Sequence, residues 1–211
     1  MEVENRRGIN LTNLPYSLII VFLCIIVALL QALLPLFTSI SYIDFIYLFG
    51  LSRYALFAQH NIWAIVTHMF LHGDFGHLFF NMLALFFLGP ELERRIGGKL
   101  FLTVYFVSGI LAGVGHILFI PDPMIHVIGA SGAIFGVLAC LAILAPRMTI
   151  YVYFFPIKMM YVLPLFIIIN LLMLPLGAAS GVAYFAHLIG LVVGTIFGII
   201  LNKRAYGPGR I

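Results

Sequence analysis

The sequence predicts an all-α membrane protein: one domain over residues 1–211, with six transmembrane helices and a partly membrane-embedded loop after the first. Three observations carry that prediction. Hydrophobic residues make up 64% of the 211-residue chain and charged residues only 9%, at a mean hydropathy of +1.17, a balance that no soluble domain of this size carries. The apolar residues gather into runs near the ~20 that a spanning helix needs. The lysines and arginines fall almost entirely on one set of connections between those runs.

The first run, Leu14–Phe37, is too long for a signal-peptide core and has no plausible cleavage site. Cys24 within it, like Cys140 later, reads as a small buried hydrophobe and not as half of a disulfide. The stretch from Thr38 to Asp74 carries Tyr42, Tyr47, Tyr54 and Trp63 among aliphatics, which predicts short interfacial helices half-sunk in the headgroup layer. The second and third spans are Phe75–Arg95 and Lys99–Phe119. The fourth, Ser131–Ala145, has fifteen residues before Pro146, or about 22 Å of helix against ~30 Å of hydrocarbon. Pro121–Gly129 should therefore dip into the membrane, where irregular backbone survives only if shielded by protein or lining a wet cavity. Met159–Leu174 and Val182–Leu201 complete the six.

An even number of spans puts both termini on one side. Arg6, Arg7, Arg94, Arg95, Lys99, Arg147, Lys158, Lys203, Arg204 and Arg210 fall on that side, and Arg53 alone falls opposite. The termini are thus expected in the cytoplasm, and spans two, four and six run from outside to inside. This topology accounts for the net charge of +4 without a nucleic-acid partner, since no basic patch is interleaved with aromatics.

Polar side chains inside a membrane are costly and mark candidate functional positions. His77 and Asn81 stand at i and i+4 near the outer end of the second span, hence on one face. Ser131 opens the fourth span, also at its outer end. His187 lies about 9 Å into the sixth from the same side. Gly132 and Gly136 on the fourth span and Gly190 and Gly194 on the sixth form small-xxx-small faces that let two backbones approach closely. His187 shares its face with the latter pair, so its imidazole is expected along the seam within reach of Ser131. A hydroxyl beside a histidine is the usual activated nucleophile. Backbone N–H groups at the start of the fourth helix, the Asn81 amide and a His77 N–H are candidate donors to an oxyanion. The sixth helix offers no acid to orient the base, so the expected unit is a Ser–His dyad.

Bland readings stand beside these. Ser131 also suits an N-cap or a packing site, His187 a buried hydrogen-bonding position, and His77 and Asn81 an interhelical bond. Glu91 and Glu93 with Arg94 and Arg95 read as a solvated cluster. His68, His72 and His77 hint at zinc, but neither HExxH nor a fitting Cys or carboxylate set accompanies them. No metal or cofactor is expected, and His68 and His72 are expected to buttress the first loop. A small transporter would bring broken helices and an inverted repeat, neither of which is evident.

Gly129-Ala130-Ser131-Gly132 reads GxSG, and Ala186-His187-Leu188-Ile189-Gly190 with Gly194 reads AHxxGxxxG. His72-Gly73-Asp74-Phe75-Gly76-His77 followed by Asn81 contains HxxxN, and Gly89, Glu93 and Gly97 read GxxxExxxG. In this order, over about Trp63 to Leu201, these motifs resemble the rhomboid family of intramembrane serine proteases. The resemblance implies a six-helix core with Ser131 as nucleophile and His187 as general base. His77, Asn81 and the Ser131 N–H would form the oxyanion hole, and Glu93 would tie the inner end of the second span to its neighbours. Substrates would be transmembrane proteins with locally unstable helices, cut near the surface of the cell membrane. The alternative is a catalytically silent relative that binds transmembrane helices, against which the intact Ser131 and His187 argue. Two positions depart from the family: Trp63-Ala64 stands where Trp-Arg is frequent, and Phe135 where tyrosine is frequent. Phenylalanine keeps a ring to stack on the imidazole but brings no hydroxyl. The fifth span holds none of these residues and meets the uncharged loop Pro175–Gly181, which reads as a mobile lid beside a lateral gate or as an ordinary flexible connection. The sequence assigns no oligomeric state.

Overall fold

Helix α1 (Tyr16–Phe37) begins where its predecessor Pro15 can offer no side-chain cap. The cap comes from far along the chain. Glu93 accepts the Tyr16 N–H at 2.8 Å, the Ser17 N–H at 3.0 Å and the Ser17 hydroxyl at 2.9 Å, satisfying helix-end donors that would otherwise face an apolar surround. Glu93 sits in α4 (Phe75–Ile96), so one carboxylate fixes α1 against the far end of α4. The computed structural model describes residues 14–152, 155–177 and 181–206. Arg6, Arg7 and Arg210 of the charge reading, and residues 178–180 of the loop Pro175–Gly181, lie outside the described residues.

Between α1 and α4 run α2 (Tyr42–Phe49), a π-helical turn at Tyr54–Ala58, α3 (Ala64–Thr67) and a single tight turn at His68–Phe70. These are the short helices expected there. Ser41 and Asp44 close a capping box on α2, and the Asp74 carboxylate accepts the His77 N–H at 2.8 Å to start α4. Gly97 alone joins α4 to α5 (Gly98–Phe119). Then follow α6 (Ser131–Leu144), the antiparallel strands β1 (Thr149–Val152) and β2 (Phe155–Lys158), α7 (Met159–Met173) and α8 (Tyr184–Tyr206). The hairpin was not expected; a helix lies at each of the six predicted runs, with the last extending beyond Leu201 to Tyr206.

The chain is a multi-pass membrane protein. Among the described residues five helices are long and apolar enough to cross a membrane: α1, α4, α5, α7 with its continuation to Leu176, and α8. Helix α6, at 14 residues, is shorter. It is also apolar all round, and from Gly132 to Ala142 every residue except Phe135 is buried, as befits a helix enclosed by others. Its most extensive packing is on α8, then on α5, α4 and α7. The two glycine pairs make the α6–α8 seam. A Cβ at Gly190 would run into the Gly132 carbonyl oxygen, and one at Gly194 into that of Gly136. Backbone therefore touches backbone, an approach that any side chain would prevent. By contrast α1 and α7 bury few residues and present Phe22, Leu29 and Leu172 outward.

The Thr38–Asp74 segment is tied down internally and to the connection ahead of α6. Trp63 Nε1 donates to the Leu48 carbonyl at 2.8 Å, Thr67 Oγ1 donates to that of Phe49 at 2.8 Å, and Ala64 is fully buried. The Ala64 departure thus leaves the loop hydrogen-bonded and packed. Leu51 and Val127 exchange a pair of backbone hydrogen bonds at 3.1 and 2.7 Å, which draws the connection against the loop. At the opposite end of the bundle the expected charge cluster is narrower than the sequence reading had it. Glu91 pairs with Arg94 at 2.9 Å and Arg95 at 2.7 Å, the i+3 and i+4 neighbours on its helix face. Glu93 points elsewhere, to α1.

Candidate active site

The approach to α6 is fixed before its first residue. Gly129 adopts φ +118°, a conformation open to glycine but not to side-chain-bearing residues. Its N–H donates to the His68 carbonyl at 2.8 Å. The His68 ring reaches the Ala64 carbonyl through Nδ1 at 2.9 Å and packs onto Gly113 of α5. Burial pushes His68 down to about 4. His72 is likewise held at about 4 by burial and by the neighbouring His77. Both loop histidines are therefore neutral near pH 7, and the His68 ring bears on α5 at Gly113.

Ser131 is the first residue of α6, after Ala130, and no side chain caps that helix. The N-cap reading of the serine therefore fails. Its hydroxyl lies 2.8 Å from His187 Nε2 across the glycine seam. One turn further along α6, Phe135 lies on the imidazole, with ring centroids 4.4 Å apart and planes 35° apart. The phenylalanine at this departure thus stacks on the ring.

His77 and Asn81 face the same place from α4. A Cβ at Gly129 would lie 2.6 Å from His77 Nε2 and 3.8 Å from Asn81 Nδ2, so both side chains border the backbone two residues before Ser131. His77 Nδ1 accepts the Gly73 N–H at 3.3 Å, which leaves the ring proton on Nε2, the nitrogen nearer Gly129. Asn81 is buried, and its Nδ2 has no hydrogen-bond partner among the described residues. The four residues singled out in the sequence are thus brought together around Gly129–Ser131.

One neighbour escaped the sequence reading. Asn170 of α7, 2% exposed, places Oδ1 2.9 Å from His187 Nδ1. The signal was present, since an amide inside the apolar run Met159–Leu174 carries the same membrane cost that drew notice to His187.

Chemically, the arrangement joins a hydroxyl, a nitrogen base in hydrogen-bond contact with it, and side-chain N–H donors beside the adjoining backbone. That is the composition of a serine acyl-transfer site.

The family profile described as Rhomboid domain matches residues 59–204. The rhomboid protease GluP of Bacillus subtilis is 40% identical over 97 residues, covering 46% of this chain and 18% of GluP. RHOMBOID-like protein 4 of Arabidopsis thaliana is 34% identical over 156 residues, covering 70% of this chain and 38% of that protein. The inactive RHOMBOID-like protein 8 of the same plant is 37% identical over 103 residues, covering 48% of this chain and 29% of the relative. The chain thus matches well under half the length of each of these relatives.

Proposed function

Because the chain belongs to the rhomboid family, we propose that it is an intramembrane serine endopeptidase. It hydrolyses peptide bonds in or near the transmembrane segments of membrane proteins, with Ser131 as nucleophile and His187 as general base. The observation that carries this reading is the 2.8 Å contact between Ser131 Oγ and His187 Nε2 at the start of α6, within the separation that general-base catalysis requires.

In the first step Nε2 takes the hydroxyl proton as Oγ bonds to the scissile carbonyl carbon. The carbonyl oxygen becomes an oxyanion, met by the Ser131 N–H, the Asn81 amide and His77 Nε2–H. The imidazolium then gives its proton to the leaving amine as the C–N bond breaks. Water then gives a proton to the same histidine as it bonds to the acyl carbon, and the imidazolium returns that proton to Ser131 Oγ as the acyl–Oγ bond breaks. That Asn81 Nδ2 has no partner among the described residues supports its part in this scheme. A buried donor left unpaired costs ~1–3 kcal/mol, and a developing oxyanion is the acceptor that repays it.

The same reading makes residues 1–211 one membrane domain in the cell membrane, with α6 as the sixth span. Its termini are cytoplasmic, its site opens toward the external side, and its partners are transmembrane substrates and the bilayer. The charge balance of the sequence supports that orientation. The test is a fluorophosphonate probe alongside cleavage of a transmembrane substrate by purified protein. Labelling and cleavage are expected, and both are expected to vanish in Ser131→Ala; cleavage is also expected to vanish in His187→Ala. Cleavage retained in Ser131→Ala overturns the mechanism. The inactive plant relative favours a second reading, a silent helix-binding protein, and a wild-type protein that takes no label and cuts nothing supports it.

A further inference from the structure

We propose that Asn170 is a positioning residue for His187, holding the imidazole in the tautomer that carries its proton on Nδ1 and turns the Nε2 lone pair to Ser131. For its effect on turnover the inference rests on the protease reading; for the tautomer it rests on geometry alone.

The amide's own orientation is fixed first. Asn170 Nδ2 lies 2.8 Å from the Phe166 carbonyl oxygen, one turn back on α7. A carbonyl only accepts, so the NH₂ must occupy that side and Oδ1 the other, 2.9 Å from His187 Nδ1. Oδ1 also only accepts, so Nδ1 must donate. A neutral imidazole carries one ring proton; Nε2 is then an acceptor, and it lies 2.8 Å from the Ser131 hydroxyl. The hydrogen bonds run in one direction, from Ser131 O–H to Nε2, from Nδ1–H to Oδ1, and from Nδ2–H to the Phe166 carbonyl. A flipped amide would set acceptor against acceptor at Phe166. Phe135 lies on the imidazole face, and the contact with Asn170 decides which ring nitrogen carries the proton. An amide does this without the carboxylate charge that is expensive between apolar helices.

The experiment combines ¹⁵N NMR of histidine-labelled protein, the His187 signals being assigned by their loss in His187→Gln, with steady-state cleavage in detergent. The wild type is expected to show the Nδ1–H tautomer, and Asn170→Leu is expected to lose it. In that variant kcat should fall about 10- to 100-fold, a part of the ~10²–10⁴ supplied by a positioned general base, with KM little changed. Asn170→Asp keeps the acceptor and should restore turnover. Its acidic limb should move to higher pH, because a carboxylate favours the imidazolium and the base must be neutral to act. Asn170→Leu with wild-type kcat and tautomer overturns the proposal. Should Asn170→Leu lose its thermal transition, Asn170→Asp decides alone, an unmoved acidic limb overturning the proposal. Should the wild type cut nothing, the protease reading fails by itself, and the tautomer comparison still supports or overturns the positioning role.

Discussion

A buried amide donor without an acceptor is costly to keep, and among the described residues Asn81 is such a donor, close to Gly129 ahead of the candidate nucleophile. Asn81→Ala is therefore expected to lower kcat by ~10²–10³, the usual loss for one oxyanion donor, while KM and Tm change little. Stopped or continuous cleavage assays on folded protein check this, and unchanged turnover would remove Asn81 from the site. At this scale the sequence was legible where chemistry and cost coincided. Ser131, His187, His77 and Asn81 are polar groups in apolar runs at helix ends that topology brings level. Asn170 carried the same cost but sits seventeen residues before its partner, on a helix with no other site residue. Helical periodicity relates residues of one helix; it does not report which side chains meet between two. The split of Glu91 from Glu93 was hidden from residue spacing for the same reason, since the donors at the start of α1 lie 76 and 77 residues from Glu93; only the family resemblance implied a tie from Glu93 to neighbouring helices.

Helices α6 and α8 meet through backbone, so the Ser131–His187 separation is set by glycine and not by adjustable side chains. Gly194→Val would drive a branched side chain into the Gly136 carbonyl and part the helices. General-base catalysis tolerates only ~2.6–3.2 Å between the partners. The variant is expected to lose cleavage and fluorophosphonate labelling while still inserting as a helical membrane protein by circular dichroism. Full activity would refute the tight seam. The spans themselves were legible because run length and hydropathy are properties of single segments, and even the shortness of α6 followed from Ser131 and Pro146. The hairpin Thr149–Lys158 was not. Its strands have four residues each, Pro156 interrupts the second, and alternation that brief is lost among neighbouring apolar runs.

Across the whole molecule, α7 is attached lightly, burying only Met159, Val162 and Asn170. Helices α4 and α7 both border α6 without packing extensively on one another. On the protease reading we propose that a substrate helix arriving sideways from lipid reaches Ser131 between them. Cross-linking the site-side ends of α4 and α7 through engineered cysteines is expected to block cleavage of membrane-embedded substrates. Leu172→Ala, which trims an exposed side chain, is expected to speed it. The native Cys24 and Cys140 are buried and free, so they leave the engineered pair to react alone, and a cross-linked enzyme with the normal rate on embedded substrates rules this gate out. The glycine seam bears also on how the protein meets bilayers of unequal thickness. A mismatch between helix length and hydrocarbon depth is relieved by tilting. Helices α6 and α8 cannot tilt against each other without driving carbonyl oxygens into Cα atoms, so Ser131 and His187 move with the two helices as one unit. Mismatch strain therefore falls elsewhere than on the Ser131–His187 separation. Turnover of a short water-soluble peptide should stay constant between bilayers of ~27 and ~33 Å hydrocarbon thickness, while cleavage of embedded substrates varies between them. A peptide rate that followed thickness would mean the seam yields.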